Sequence, residues 1–242
     1  MKLIKVDATT STNELSKSLN TKQSEGNFCV SAEFQMNGRG QQQTSWQSNK
    51  SENILFTMVY NSIDLDLDKR FCLNALVCLS VYNVLKQAEI KSLSLKWPND
   101  IMADGFKICG ILIENSIVGA KIKDAYVGIG LNVNQTQFDN LPRASSLKIL
   151  TEVEFDRGEL LEKLMKELKD LPKALKINSA QNIINVYKRY LFGYNKLQEF
   201  ELPKLKRKRG KIKDIALDGK LLVEFESGER KYFEHKAIRQ LY

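Results

Sequence analysis

The segment Tyr126-Val-Gly-Ile-Gly-Leu-Asn-Val-Asn134 sets two glycines and two amides at alternate positions. Strand alternation puts Ile129, Leu131 and Val133 on one face and Gly128, Gly130, Asn132 and Asn134 on the other. A glycine inside a strand weakens it and marks close approach by a ligand or by other backbone. That face is either the floor of a polar pocket or the seat of a tightly packed helix. In Lys107-Ile-Cys-Gly-Ile-Leu-Ile-Glu114 a lysine opens an otherwise apolar strand that also contains Gly110. Lys107 either serves as a fixed positive charge or snorkels to solvent. In Lys96-Trp-Pro-Asn-Asp100, Pro98 stops a strand, Trp97 anchors it, and Asn99 and Asp100 project at its end. A plain Asx-turn is the alternative there. Gly38-Arg-Gly-Gln-Gln-Gln-Thr-Ser-Trp46 joins a cation, a flat indole and two glycines whose N–H groups can cup an anion. It can equally be a surface loop whose Trp packs back on the core. Its G-x-G is neither a dinucleotide fingerprint nor a Walker A loop.

Several elements must position these residues. Ser11-Thr-Asn-Glu14 has capping-box form and predicts a helix to about Leu19. Phe28–Gln35, Asn53–Tyr60, Ser92–Trp97, Lys107–Glu114 and Ala125–Val133 read as strands. Apolar spacing over Asp68–Gln87 predicts a helix. A second helix is marked by Leu160, Leu161, Leu164 and Leu168, with Asp156 and Glu159 as cap candidates. Ala180–Leu191 predicts a third. After Tyr194 the pattern changes to tight turns. Lys211–Leu217, Asp218-Gly219 and Lys220–Glu226 form a hairpin signature, and Ser227-Gly228 turns again into Glu229–Phe233. The boundary falls near residue 195, giving a main unit over 1–195 and a small β module over 196–242. The class is α+β, a mixed sheet with flanking helices.

Composition excludes much else. The chain has 242 residues, 43% hydrophobic and 27% charged, the balance of a globular protein. No apolar run is long enough to span a membrane, and the N-terminus lacks the h-region of a signal peptide. These features predict a cytoplasmic protein with no membrane partner. One histidine, His235, rules out a His-based metal cluster and reads as a surface residue. Cys29, Cys72, Cys78 and Cys109 form no C-x-x-C pair and read as reduced, buried thiols. Net charge is +8. Residues 196–242 hold 13 Lys/Arg against 8 Asp/Glu, so they carry most of it. The run Lys204–Lys211 reads as a solvated strand edge guarded by cations, or as a surface for nucleic acid or an acidic protein.

Taken together, the polar segments resemble the biotin–protein ligase family, in its short form without an N-terminal DNA-binding domain. The matching pieces, in order, are Ser11-Thr-Asn13, Gln35 with Gly38-Arg-Gly40 and Trp46, Lys96-Trp-Pro-Asn-Asp100, Lys107-x-x-Gly-Ile-Leu112 and Gly128-Ile-Gly-x-Asn132. The resemblance implies a class II synthetase-like catalytic unit and a C-terminal SH3-like β-barrel. It implies an ATP-dependent ligase that converts biotin and MgATP to biotinyl-5′-AMP, then passes the acyl group to a lysine of a biotin carboxyl carrier domain. Biotin and ATP are substrates, and Mg²⁺ is held mainly by the nucleotide phosphates. The resemblance puts Lys107 and Arg39 at the reacting centre. It assigns Ser11, Thr12, Asn13, Gln35, Gly38, Arg39, Gly40, Gln41, Lys107 and Gly110 to biotin, and Trp46, Lys96, Asn99, Asp100 and Asn132 to the nucleotide.

The residue types suit that chemistry. A carboxylate attacking a phosphate brings two anions together, and like unit charges about 4 Å apart repel by about 4 kcal/mol at an effective dielectric near 20. Fixed cations are needed there. A urea ring presents one acceptor and two donors, which hydroxyls and amides match. The loop departs from the family's Arg- and Gly-rich form: it reads Gln41-Gln42-Gln43, with Gln43 at a usual glycine. Weaker electrostatic retention of the adenylate is the expectation. A lipoate–protein ligase or octanoyl transferase of similar fold is the nearest rival. A basic nucleic-acid-binding module is the rival from another class; the run Lys204–Lys211 lacks interleaved aromatics, which disfavours it. A repressor role is disfavoured because no winged-helix segment precedes Ser11. A homodimer stays open.

Overall fold

The computed structural model describes residues 1–20, 26–41 and 44–241. The glycine-bearing strand lies inside an eight-stranded sheet. In chain order its strands are β1 (Lys2–Thr9), β2 (Phe28–Gln35), β3 (Ile54–Tyr60), β4 (Leu65–Asp66), β5 (Leu93–Lys96), β6 (Asp100–Ala103), β7 (Phe106–Val118) and β8 (Lys121–Leu131). They pair in the order β1-β2-β3-β8-β7-β6-β5, with β4 on β8. β1 runs parallel to β2 and the other pairs are antiparallel. Every side chain of β3 is buried, because β2 and β8 flank it and helices cover the sheet.

Helix α1 (Thr12–Asn20) starts directly after Ser11, as expected, and packs on β2, β3 and β8. Glu14 does not complete the predicted capping box: its carboxylate lies 3.3 Å from Arg39. Helix α2 (Arg70–Gln87) is apolar on nearly all sides and packs against the sheet and the later helices. Of the later helices, α3 (Leu147–Thr151), α4 (Arg157–Leu168), α5 (Leu171–Ile177) and α6 (Ala180–Arg189), the last three pack on α2. Asp156 caps α4 by accepting from the Glu159 N–H at 3.0 Å, so Asp156 is the cap and Glu159 supplies the donor.

Five further strands follow: β9 (Leu197–Leu202), β10 (Lys206–Ile215), β11 (Leu221–Phe225), β12 (Arg230–Phe233) and β13 (Arg239–Leu241). They pair in the order β12-β11-β10-β9-β13, an open antiparallel series among the described residues where a barrel was expected. The predicted hairpin is β10–β11, with Gly219 at φ +96° in its turn. The apolar core is continuous from the large sheet into Phe200, Ile212, Val223, Phe225 and Phe233. In the basic run, Lys206–Arg209 pair with β9 on one side, while the ladder to β11 starts only at Gly210. It is thus a solvated edge along that stretch. Arg207, Lys208 and Arg209 each lie against a glutamate, Glu199, Glu229 and Glu226 in turn. Half of the cations in the run thus have an acidic neighbour within their own module. All four cysteines are free and buried, as expected. Burial raises their thiols, Cys29 to about 12 and Cys72 to about 11, so they stay protonated. Among the described residues no helix is long and apolar enough to cross a membrane.

Candidate active site

The start of α1 turns three polar residues into the sheet. Ser11, Thr12 and Asn13 are all buried. The Thr12 N–H donates to Gln35 Oε1 at 2.7 Å, and the Thr12 hydroxyl reaches the same oxygen at 3.1 Å. Gln35 ends β2, so strand and helix are tied side chain to backbone. Asn13 rests on Gly128, where a Cβ would run into its amide. The sequence left two readings for that glycine face, pocket floor or helix seat. Both hold: Gly128 seats α1, and Gly130 lies under the indole of Trp46, where a Cβ would come within 2.5 Å of the ring. Gly110, paired with Gly130 across β7 and β8, extends the same floor.

The loop from Gly38 to Trp46 closes on itself. The Trp46 N–H donates to the Gly38 carbonyl at 2.8 Å and the Gly40 N–H to the Thr44 carbonyl at 2.6 Å. Of the N–H groups expected to cup an anion, that of Gly40 is spent inside the loop. Gln42 and Gln43 lie outside the described residues. Arg39 projects to Glu14 and Glu114, at 3.3 and 3.5 Å. Glu114 also accepts from Asn13 Nδ2 and from Lys17, both at 2.7 Å. Burial works to raise the Glu114 carboxyl, but those hydrogen bonds outweigh it and hold it below the ordinary glutamate range.

Lys107 does not snorkel freely. Its ammonium lies 2.7 Å from Asp100 and 5.5 Å from the centre of the Trp46 ring. Asp100 opens β6, a strand absent from the sequence reading, which had Asp100 projecting beyond a strand's end. β5 and β6 form a hairpin with Lys96 opposite Asp100 and Trp97-Pro98-Asn99 between them. Asn99 donates its amide to the Ile111 carbonyl and so fixes β7. Lys96 is pushed down to about 8 by burial. Asn132 falls just beyond β8, in a loop and not on the expected strand, and donates to the Ser145 carbonyl at 2.9 Å.

One cavity of about 300 Å³ gathers most of the predicted residues. Ser11, Thr12, Asn13, Gln35, Arg39, Gly40, Gln41, Trp46, Asn99, Asp100, Lys107 and Gly110 line it. Gly38 stands behind the wall, tied to Trp46. Asn132 lines a second cavity of about 210 Å³ on the other side of Trp46 and Lys107, with Phe138, Leu141 and Pro142 as apolar walls. Lys96 lines a third, of about 480 Å³, between the two sheets, which meets the first at Asp100 and His235. His235, read as a surface residue, is in fact half-buried and edge-on to Trp97 at 5.4 Å. Sequence reasoning missed His235 as a lining residue, Glu114, Thr57 and the 138–143 loop. Thr57 left one signal, a hydroxyl within the apolar run Ile54–Tyr60. Among the described residues six buried side-chain polar atoms lack a partner, and three belong to predicted contact residues: Arg39 Nε, Trp46 Nε1 and Asn132 Oδ1. A buried polar atom without a partner calls for an explanation, and a ligand is one. No cluster of three or more metal-ligating side chains occurs among the described residues. The single carboxylate on the first cavity's wall, Asp100, is already paired with Lys107.

Known proteins bear on this arrangement. Residues 3–132, more than half of the chain, match the model of the biotin/lipoate A/B protein ligase family. A bifunctional ligase/repressor BirA from Bacillus spizizenii is 31% identical over 169 residues, 67% of this chain and 51% of the relative. A biotin–[acetyl-CoA-carboxylase] ligase from Mycobacterium tuberculosis is 30% identical, over 57% of this chain and 51% of the relative. The matches thus span about half the length of these relatives. A solved biotin protein ligase from Aquifex aeolicus, in complex with biotin and ATP, superposes with a TM-score of 0.81 and 26% identity, covering 99% of both chains. With that match over more than half its length, the chain belongs to the biotin/lipoate A/B protein ligase family.

Proposed function

We propose that this chain is a biotin–protein ligase. In the first step a carboxylate oxygen of biotin attacks the α-phosphorus of MgATP, and pyrophosphate leaves with the broken anhydride bond. In the second, the amine of a carrier lysine attacks the acyl carbon of the adenylate, releasing AMP and a proton. The observation that carries this reading is one cavity joining a neutral polar cradle to two cations. The cradle offers hydroxyls and amides at the scale of a urea ring. Arg39 and Lys107 stand where the carboxylate and phosphate meet, and each is already held by a carboxylate of the protein. Asp100 fixes the Lys107 ammonium, so little reorganisation is needed as charge shifts to the bridging oxygens. The apolar 210 Å³ cavity beside Trp46 suits the adenine, with Asn132 on its rim. Trp46 then covers the reactive acyl-phosphate, which hydrolyses in water.

No covalent enzyme intermediate is required; alignment and charge do the work. We read residues 196–242 as an SH3-like module that closes the nucleotide side through His235 and Trp97, whose indole donates to the Gly219 carbonyl at 2.9 Å. The acceptor is a carrier domain bearing one target lysine. Pyrophosphate exchange measured with biotin and with lipoate tests the substrate, and label transfer to a carrier domain tests the acceptor. Exchange driven by lipoate alone defeats the proposal.

A further inference from the structure

Thr57 sits at the centre of β3, fully buried, among apolar neighbours on its own strand. Its hydroxyl oxygen is 2.7 Å from Asn13 Oδ1 and 2.8 Å from Thr12 Oγ1. A hydroxyl has one proton to give. Asn13 Nδ2 is committed to the Glu114 carboxylate at 2.7 Å, and to the Leu112 carbonyl at 3.3 Å. Only the nitrogen end of an amide can face a carboxylate, so Oδ1 must face Thr57 and receive its proton. The Thr12 hydroxyl is then left to donate, either to Thr57 or to Gln35 Oε1 at 3.1 Å. Both Thr12 and Asn13 line the cavity. With their donors turned inward, what they offer the cavity is oxygen lone pairs.

We infer that Thr57 is a positioning residue that orients Thr12 and Asn13 as acceptors for the two N–H groups of the ureido ring. It touches no ligand itself. The inference rests on the biotin reading above. Glu114 fixes one end of the Asn13 amide and Thr57 the other, so the ring's donors meet acceptors on arrival. Removing the Thr57 proton leaves Asn13 Oδ1 without its donor and frees the Thr12 hydroxyl to turn.

Thr57→Val keeps the shape and removes the proton; Thr57→Ser restores it. In biotin-dependent pyrophosphate exchange, Thr57→Val should raise the biotin KM about tenfold or more, the scale of one buried hydrogen bond misplaced. The ATP KM and kcat should stay within about twofold, and Thr57→Ser should return the biotin KM to within about threefold of the parent. The parent should prefer biotin to analogues methylated at either ureido nitrogen, and Thr57→Val should shrink that preference about tenfold. An unchanged biotin KM, a KM rise that serine does not rescue, or an unchanged preference overturns the inference. Should Thr57→Val not fold, Thr57→Ala is judged by the same measures. A parent without biotin-dependent exchange defeats the biotin reading, and this inference with it. An active parent with an unaffected variant defeats this inference alone.

Discussion

The two ends of the main cavity are built on different physical plans. At the α1 end, hydroxyls and amides are cross-bonded through Thr57, Gln35 and Glu114. At the loop end, Arg39 Nε and Trp46 Nε1 are buried without partners, and the cations lean on carboxylates. A bonded polar network is rigid and specifies one geometry. Orphaned donors and borrowed counter-charges describe a surface whose bonding is completed by something anionic. On the proposed reading, the first end would recognise a neutral group by shape and hydrogen bonds, and the second would handle charge as it moves.

Lys107→Ala should break the charged end most severely. A loss of about 10³-fold or more in biotin-dependent exchange is expected, with biotin binding measured without ATP much less affected. Unchanged exchange would mean the reaction centre is elsewhere. Arg39→Ala should follow at about 10–100-fold, with free adenylate accumulating in solution, since Glu114 keeps Asn13 and Lys17 when the guanidinium is gone. Retained adenylate in that variant would detach Arg39 from the intermediate.

Gly130→Ala sharpens the contrast, because its Cβ would stand 2.5 Å from the Trp46 ring and push the indole off the floor. The nucleotide KM should rise about tenfold, while calorimetric affinity for biotin alone changes by about threefold or less. Equal losses on both ligands would show that the two ends are not separable.

Lys96 supplies a titration. Burial lowers it from 10.5 to about 8, so its charge is lost as pH rises through 8. The unfolded chain keeps that proton to about 10.5, so the folded chain gains stability from this group between about pH 8 and 10.5. Nucleotide binding should move the opposite way, the ATP KM rising above pH 8 in the parent and staying flat in Lys96→Arg. A parallel rise in both would remove Lys96 from the nucleotide side. The smallest effect is expected from neutralising Lys206, Arg207, Lys208 and Arg209 to Gln. Three of these already face glutamates, so the carrier KM should shift about two- to threefold and lose part of its salt dependence.

Legibility followed the same divide. Helices α1 and α2 and strands β2 and β3 stand close to where capping and periodicity put them, while β7 runs four residues past its expected end and β8 starts four residues early. β1 and β6 were missed: β1 alternates poorly and becomes a strand by pairing with β2, and β6 is four residues long. Ser11-Thr-Asn13 was legible as a helix start bearing polar groups. Glu114 was legible only as the end of an apolar strand. Its bonds to Asn13 and Lys17 cross about a hundred positions of chain, and no local pattern records them. His235 was misplaced for the same reason, since its partner Trp97 lies in the distant turn between β5 and β6.

By itself the sequence determined which residue types are available and which local elements carry them: the glycines of β8, the lysine near the start of β7, the cation and indole of one loop. Those follow from alternation, capping and backbone freedom, all of which act within a few residues. Tertiary structure alone decided how protons and charges are shared among them. Thr57 meets Asn13, Asp100 meets Lys107, and Trp46 lies over Gly130 because separate strands pair in one register, and hydrogen-bond direction is settled only when every partner is in place.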